Sequence, residues 1–170
     1  GLSIGGVVAQ GLAAERPDLV RAAVLSNTAA KIGTEDGWNE RIATVRANGI
    51  EAIADQVMRL WFTRGFHSAR ADELALWRNM VIRTPLDGYL GCCAAIADTD
   101  LRASTAGLRL PVLALVGDQD GSTPPDLVRE TAESIAGARF EIIRRAGHIP
   151  CVEQPEATAA LIAGFLRDLG

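Results

Sequence analysis

Apolar and polar positions along the chain follow two different spacings. Three short apolar runs closed by turn-forming residues predict buried strands at 21–27, 111–117 and 139–143. Helices are predicted at 4–15, an Ala/Gly-rich segment ended by Pro17, at 124–136, between a Thr123-Pro124 cap and Gly137, and at the amphipathic segment 156–169. Residues 38–100 show only the helical spacing, and Thr84-Pro85 marks a further helix start within them.

The resulting order is helix, strand, helical insertion, strand, helix, strand, helix. Such alternation predicts an α/β fold in which a parallel sheet lies between helices. We expect residues 1–37 to supply the first helix and strand of the core, and residues 106–170 its remaining strands and helices. Residues 38–105 are predicted to form an all-helical lid over one edge of the sheet.

Composition excludes several classes of function. The net charge is −4, and the single lysine, Lys31, with scattered arginines forms no basic stripe for nucleic acid. No apolar run approaches the ~20 residues that span a bilayer, so a membrane protein is not expected. Three cysteines, Cys92, Cys93 and Cys151, lack metal-ligand spacing and are expected to be small core residues. We expect no metal site, and unpaired cysteines favour the cytoplasm.

The first five residues, Gly1-Leu2-Ser3-Ile4-Gly5, match the pattern GxSxG and lead directly into a predicted helix. In a nucleophile elbow, this pattern places a serine on a strained turn before a helix, where small neighbours avoid backbone clashes. Alone the motif is weak, because a Gly-rich turn has the same letters. The hydroxyl of Ser3 is nevertheless a candidate nucleophile.

Two further residues lie where a serine hydrolase would need them. Asp120 follows the 111–117 strand and His148 follows the 139–143 strand, which gives the chain order serine, acid, histidine. The only other histidine, His67, lies in a polar segment and is expected to have a surface role. We therefore predict His148 as the base.

The choice of acid is less direct, because three aspartates follow the same strand. Asp118 is expected to tie the turn, and Asp126 falls in a first helical turn, where it complements the helix dipole. Asp120 precedes the flexible Gly121 and is best placed to orient an imidazole. Ser3, Asp120 and His148 are thus the predicted catalytic triad.

The chain resembles the 3-oxoadipate enol-lactonases, a family of α/β-hydrolases in the β-ketoadipate pathway of aromatic catabolism. Four segments carry the resemblance, at 1–6, 26–33, 117–125 and 147–155. It implies a cytoplasmic enzyme that hydrolyses a small anionic lactone without a cofactor, through the same triad and an acyl-enzyme. It leaves the oligomeric state open.

The family pattern has several strands and an oxyanion-hole loop before the elbow, and this sequence has no counterpart of them. We therefore expect a partial α/β-hydrolase fold, a C-terminal fragment that starts at the elbow. The backbone N–H of Ile4 is its one expected oxyanion donor, so the fragment by itself is predicted to be inactive or nearly so.

Two residues are speculative candidates for binding the lactone. Lys31 offers a cation for its carboxylate and Trp38 an apolar wall, although a surface lysine and a packing tryptophan are equally ordinary interpretations. Two alternatives stay open from the residues. One is a broad carboxylesterase or cofactor-free haloperoxidase of the same fold, and the other is a non-catalytic hydrolase-like binding protein.

Overall fold

The computed structural model describes residues 1–170, which form three strands and ten helices. The strands are β1 (Ala23–Ser26), β2 (Val112–Gly117) and β3 (Arg139–Ile143). The first five helices are α1 (Ile4–Glu15), α2 (Glu35–Asn48), α3 (Glu51–Trp61), α4 (Arg64–Ala69) and α5 (Ala71–Ile82). The other five are α6 (Leu86–Asp98), α7 (Arg102–Ala106), α8 (Pro125–Ser134), α9 (Pro150–Glu153) and α10 (Pro155–Arg167).

The three strands form one parallel sheet in the order β1-β2-β3. Strand β2 is central and buried at all six positions, as its continuous apolar run predicts. Leu2 makes a further parallel bridge to Ser26, so the chain just before α1 continues the sheet beyond β1. The carboxyl ends of the strands therefore meet along one edge, which is where parallel sheets carry their sites.

Helices cover both faces of this sheet. On one face, Val128 and Ala132 of α8 pack on Ala114 and Val116 of β2. On the opposite face, Phe165 of α10 joins a buried group of apolar residues, which are Leu113, Leu115, Ile143 and Ala146. Each face thus has its own core, because successive residues of a strand point to opposite sides.

Helices α2 to α6 form the lid, and it has a separate hydrophobic core. Eight buried residues make up this core, namely Val45, Ile50, Ile53, Val57, Met58, Phe62, Phe66 and Val81. Two of its aromatic rings, Phe62 and Phe66, stack with centroids 4.4 Å apart. Ile149 and Val152, which follow β3, pack against this core, so the lid and the sheet domain are joined by apolar contacts there.

The strands and the longer helices lie within a few residues of their predicted positions. The predicted boundaries at 37/38 and 105/106 fall inside α2 and α7, and Thr105 of α7 donates to Gln10 of α1, so α7 packs with the core. Cys92 and Cys151 are exposed, and only Cys93 is buried, so the prediction of three core cysteines was wrong. No helix has the length and apolar character needed to cross a membrane.

Glycine at position 117 is required by a close approach of two backbone segments. A Cβ atom there would overlap the carbonyl oxygens of Ala146 and Gly147. We predict that Gly117→Ala lowers the free energy of unfolding by at least ~1–3 kcal/mol, the usual cost of forcing atoms into a packed interior. Urea denaturation of the 170-residue chain would measure the change.

Gly91, in the exposed middle of α6, is the matched control. A Cβ atom there meets nothing within 4 Å. Gly91→Ala is therefore expected to raise the free energy of unfolding by ~0.5–1 kcal/mol, because alanine restricts the unfolded chain and favours helix. Equal effects of the two substitutions would contradict this account of Gly117.

Candidate active site

A buried carboxylate and a buried imidazole are hydrogen-bonded at the carboxyl edge of the sheet. His148 Nδ1 lies 3.0 Å from Oδ1 and 2.9 Å from Oδ2 of Asp120. Both residues are almost inaccessible, at 4% exposure for Asp120 and 2% for His148. Because a carboxylate accepts, we assign the proton of the imidazole to Nδ1, which leaves Nε2 free as a base.

Asp120 receives several more hydrogen bonds from its own loop. Its Oδ1 accepts from the backbone N–H groups of Ser122 at 2.7 Å and Thr123 at 3.0 Å, and its Oδ2 accepts from Thr123 Oγ1 at 2.7 Å. Burial raises the pKa of Asp120, but the bonds and charge of His148, with those from Asn27 and Thr123, outweigh burial and lower that pKa below its ordinary value. Asp120 is therefore ionised at neutral pH.

Asn27 connects the end of β1 to both loops that follow the other strands. Its Nδ2 donates to Asp120 Oδ2 at 2.9 Å and to the carbonyl oxygen of Gly147 at 3.2 Å, and its backbone has φ 51°. The left-handed region is one that asparagine tolerates better than most residues. Asn27 thus fixes the distance between the acid loop, residues 118–124 around Asp120, and the His148 loop, residues 144–149.

Ser3 adopts the strained backbone expected of an elbow, with φ 53° and ψ −122°. Its N–H donates to Ser26 O at 3.0 Å and its carbonyl accepts from Thr28 Oγ1 at 2.7 Å, so the turn is tied to the end of β1. A Cβ atom at Gly1 would overlap Gly5 O, and one at Gly6 would overlap the Thr28 side chain. The glycines that this turn requires are therefore Gly1 and Gly6.

Ser3 and His148 lie on the same edge of the sheet, and their side chains are not hydrogen-bonded to each other. Ser3 is tied to the sheet by hydrogen bonds of its backbone atoms, and its hydroxyl makes no hydrogen bond to His148. Such contacts are often long before substrate binds. Ser26 joins the two groups, since it accepts from Ser3 and directly precedes Asn27, which contacts Asp120.

Ile4 is the first residue of α1, so its N–H belongs to the helical turn whose donors have no intrahelical partner. An anion at Ser3 would meet both this N–H and the positive end of the helix dipole. This position suits the oxyanion role predicted for Ile4.

Lys31 and Trp38 are both engaged within the protein. The ammonium group of Lys31 donates to Ala97 O at 2.7 Å and Thr99 O at 3.0 Å, and so closes the C-terminal end of α6. Trp38 Nε1 donates to Ile32 O at 2.7 Å. These contacts give each residue a structural role, and their binding roles stay predictions.

The remaining candidates lie apart from the Asp120–His148 pair. His67 is in α4 with Nε2 3.1 Å from Met58 O. Asp118 accepts from Ala146 N at 3.2 Å and so ties two loops, and exposed Asp126 lies in the first turn of α8.

Sequence reasoning missed four residues around the pair, which are Asn27, Trp61, Thr123 and Glu153. Trp61 stacks near His148 with ring centroids 6.1 Å apart, and Glu153 accepts from Gly147 N at 2.7 Å. Asn27 and Trp61 contact residues that are remote along the chain, and Glu153 reaches Thr63 across 90 residues, so no local pattern marks these three. Only the Thr123 position, three residues after the acid, carried a local signal.

A parallel sheet with a serine elbow at one edge strand and, after two further strands, an aspartate and a histidine is the arrangement of an α/β-hydrolase. A model of the alpha/beta hydrolase family matches residues 1–161, and the chain belongs to that family.

Two similar proteins are enol-lactonases. 3-Oxoadipate enol-lactonase 2 of Acinetobacter baylyi is 34% identical over 92% of this chain and 58% of its own length. The crystal structure of the enol-lactonase from Burkholderia xenovorans is 36% identical with a TM-score of 0.94, over 98% of this chain and 64% of that one. An esterase from Thermogutta terrifontis is 26% identical with a TM-score of 0.91, over 99% and 64%. The chain thus spans roughly three fifths of these relatives, as a partial fold would.

The lowered pKa of Asp120 predicts that the free energy of unfolding depends on pH in the acid range. Its ionised form stabilises the fold above the ordinary aspartate pKa of ~3.9, and this contribution is lost as pH falls through the lower folded-state value. We expect Asp120→Asn to destabilise the chain at neutral pH and to flatten the loss of stability in acid. Urea denaturation across the acid range would measure both.

The control is Asp126→Asn, which removes an exposed aspartate. It should keep the acid dependence of the unsubstituted chain. An Asp120→Asn variant with that same acid dependence would contradict the role given to the buried carboxylate.

Proposed function

We propose that the protein acts in ester hydrolysis, with 3-oxoadipate enol-lactone as the substrate and Ser3, Asp120 and His148 as the triad. The observation that carries this proposal is the buried Asp120–His148 pair at the strand edge that also holds the strained Ser3 turn. The choice of lactone rests on the two enol-lactonases, which share more sequence with the chain than the esterase does.

In this mechanism Nε2 of His148 takes the hydroxyl proton of Ser3 as its oxygen attacks the lactone carbonyl carbon. Asp120 holds the imidazole and stabilises the imidazolium that forms. The ring C–O bond then breaks, and the leaving enol oxygen takes the proton from His148. Water activated by the same nitrogen attacks the acyl-serine ester, which frees the acid and restores Ser3.

The Ile4 N–H would stabilise the oxyanion of each tetrahedral intermediate. Loss of one oxyanion donor typically costs ~10²–10³ in rate. The family pattern has its oxyanion-hole loop before the elbow, and this chain has no counterpart of that loop. We therefore also propose that the 170-residue chain by itself hydrolyses the lactone much more slowly than the longer relatives do. We propose further that Lys31 binds the substrate carboxylate through its remaining N–H, and that Trp38 forms an apolar wall beside the bound lactone.

The nucleophile can be tested with a fluorophosphonate probe, which reacts with activated serines. We expect the probe to label the chain at Ser3, and Ser3→Ala to abolish labelling. His148→Ala should slow it by orders of magnitude, since the hydroxyl loses its base. Ser104→Ala, at an exposed serine, is the control and should label normally. No labelling of Ser3 in a protein that carries every strand of the fold would favour a non-catalytic binding protein.

The substrate can be tested with a panel that compares the enol-lactone with neutral p-nitrophenyl esters. In a protein that carries every strand of the fold, we expect the lactone to have the higher kcat/KM, and Asp120→Asn to lower lactone kcat by ~10⁴, the loss typical of removing a triad acid. A preference for neutral esters would contradict the lactone and favour a broad carboxylesterase. A haloperoxidase would instead be recognised by halide oxidation with peroxide.

A further inference from the structure

Glu153 joins the lid to the loop that carries His148. Its Oε2 accepts from Gly147 N at 2.7 Å, and its Oε1 accepts from Thr63 Oγ1 at 2.6 Å and Thr63 N at 3.2 Å. Thr63 is the N-cap of α4, just after the end of α3. We propose that Glu153 is a positioning residue for His148, which acts by fastening the His148 loop to this part of the lid.

The same part of the lid holds both loops of the Asp120–His148 pair. Trp61 O accepts from His148 N at 2.8 Å, and Leu60 O accepts from Gly121 N at 3.1 Å. Carbonyls in the last turn of a helix have no intrahelical partner, so the end of α3 offers two acceptors. The two loops supply the donors, and Glu153 adds a third connection beside them.

These contacts leave little space between the backbones. A Cβ atom at Gly147 would overlap Trp61 O and lie 3.0 Å from Glu153 Oε2. A Cβ atom at Gly121 would lie 3.2 Å from both Cα and O of Leu60. Small displacements at the end of α3 would therefore be passed directly to the loops beside Asp120 and His148.

A glutamate suits this place because a carboxylate has two oxygens that only accept. A glutamine would turn its NH₂ group toward either Gly147 N or Thr63, both of which are donors. An aspartate is one methylene shorter. Glu153 bonds to neither Ser3 nor the imidazole of His148, so its effect on the base is indirect.

The chain has only two histidines, which makes the proposal measurable by NMR of ¹⁵N-labelled imidazoles. We expect a low-field Nδ1 proton for His148 in the unsubstituted chain, and a His67→Gln variant assigns it. In Glu153→Gln this proton should exchange with water roughly 10–100 times faster, the factor for losing one hydrogen bond to a charged group. His67 is the internal reference.

Four further variants separate positioning from general destabilisation. Glu156→Gln changes an exposed glutamate three residues away and should exchange as the unsubstituted chain does. Thr63→Val removes one donor to Glu153 together with the N-cap bond from Phe66 N, and it should accelerate exchange, which Thr63→Ser, with its hydroxyl, should restore. Thr34→Val removes only the N-cap bond of α2 and should leave exchange unchanged. If Glu153→Gln does not fold, the two Thr63 variants decide.

Unchanged exchange in the folded Glu153→Gln variant overturns the proposal, and so does equal exchange in Thr63→Val and Thr63→Ser. The proposal gives a finer account of the proposed function, since it treats His148 as the base. The proton signal needs neither Ser3 nor a lactone, however. Failure of lactone hydrolysis with the expected exchange pattern would therefore count against the substrate and leave the role of Glu153 intact.

Discussion

A buried carboxylate that must be satisfied by hydrogen bonds organises this protein. Asp120 takes donors from its own loop, from Asn27 after β1 and from His148 after β3, so three segments remote along the chain converge on one group. An unpaired charge at 4% exposure would be very costly. The same bonds that stabilise the ion therefore fix the imidazole and bring the three strand ends together at one edge.

Close backbone approach is the geometric consequence of that convergence. The end of β2 passes so near the His148 loop that only glycine fits at position 117, and the end of α3 passes so near it that only glycine fits at position 147. Because of these contacts, the orientation of the imidazole depends on three backbone segments, which are the end of β2, the end of α3 and the His148 loop, and not only on the rotamer of His148. A site built in this way is rigid before any ligand arrives, which is what preorganised catalysis requires.

Whether a feature could be predicted from the sequence depends on how far apart along the chain the residues that determine it lie. Strand β2 and helix α10 were predictable because burial and amphipathicity repeat locally, and the positions of Asp120 and His148 followed from strand ends. The roles of Asn27 and Glu153 were not, since Asn27 lies 93 residues from Asp120 and Glu153 reaches Thr63 across 90. The prediction of buried cysteines failed for another reason: Cys93 lies on the buried side of α6, and adjacent Cys92, about 100° further round the helix, lies on its exposed side.

The lid then has two regions with different freedom to vary. Its α3–α4 junction bonds to the loops of Asp120 and His148, so changes there act on the Asp120–His148 pair. Helices α2, α5 and α6 lie away from those bonds, and Lys31 fixes α6 through its last carbonyls without touching the Asp120–His148 pair. Pocket shape can therefore change along α2, α5 and α6 while the pair is preserved. This division is a physical reason why enol-lactonases and an esterase can share one fold and differ in what they hydrolyse.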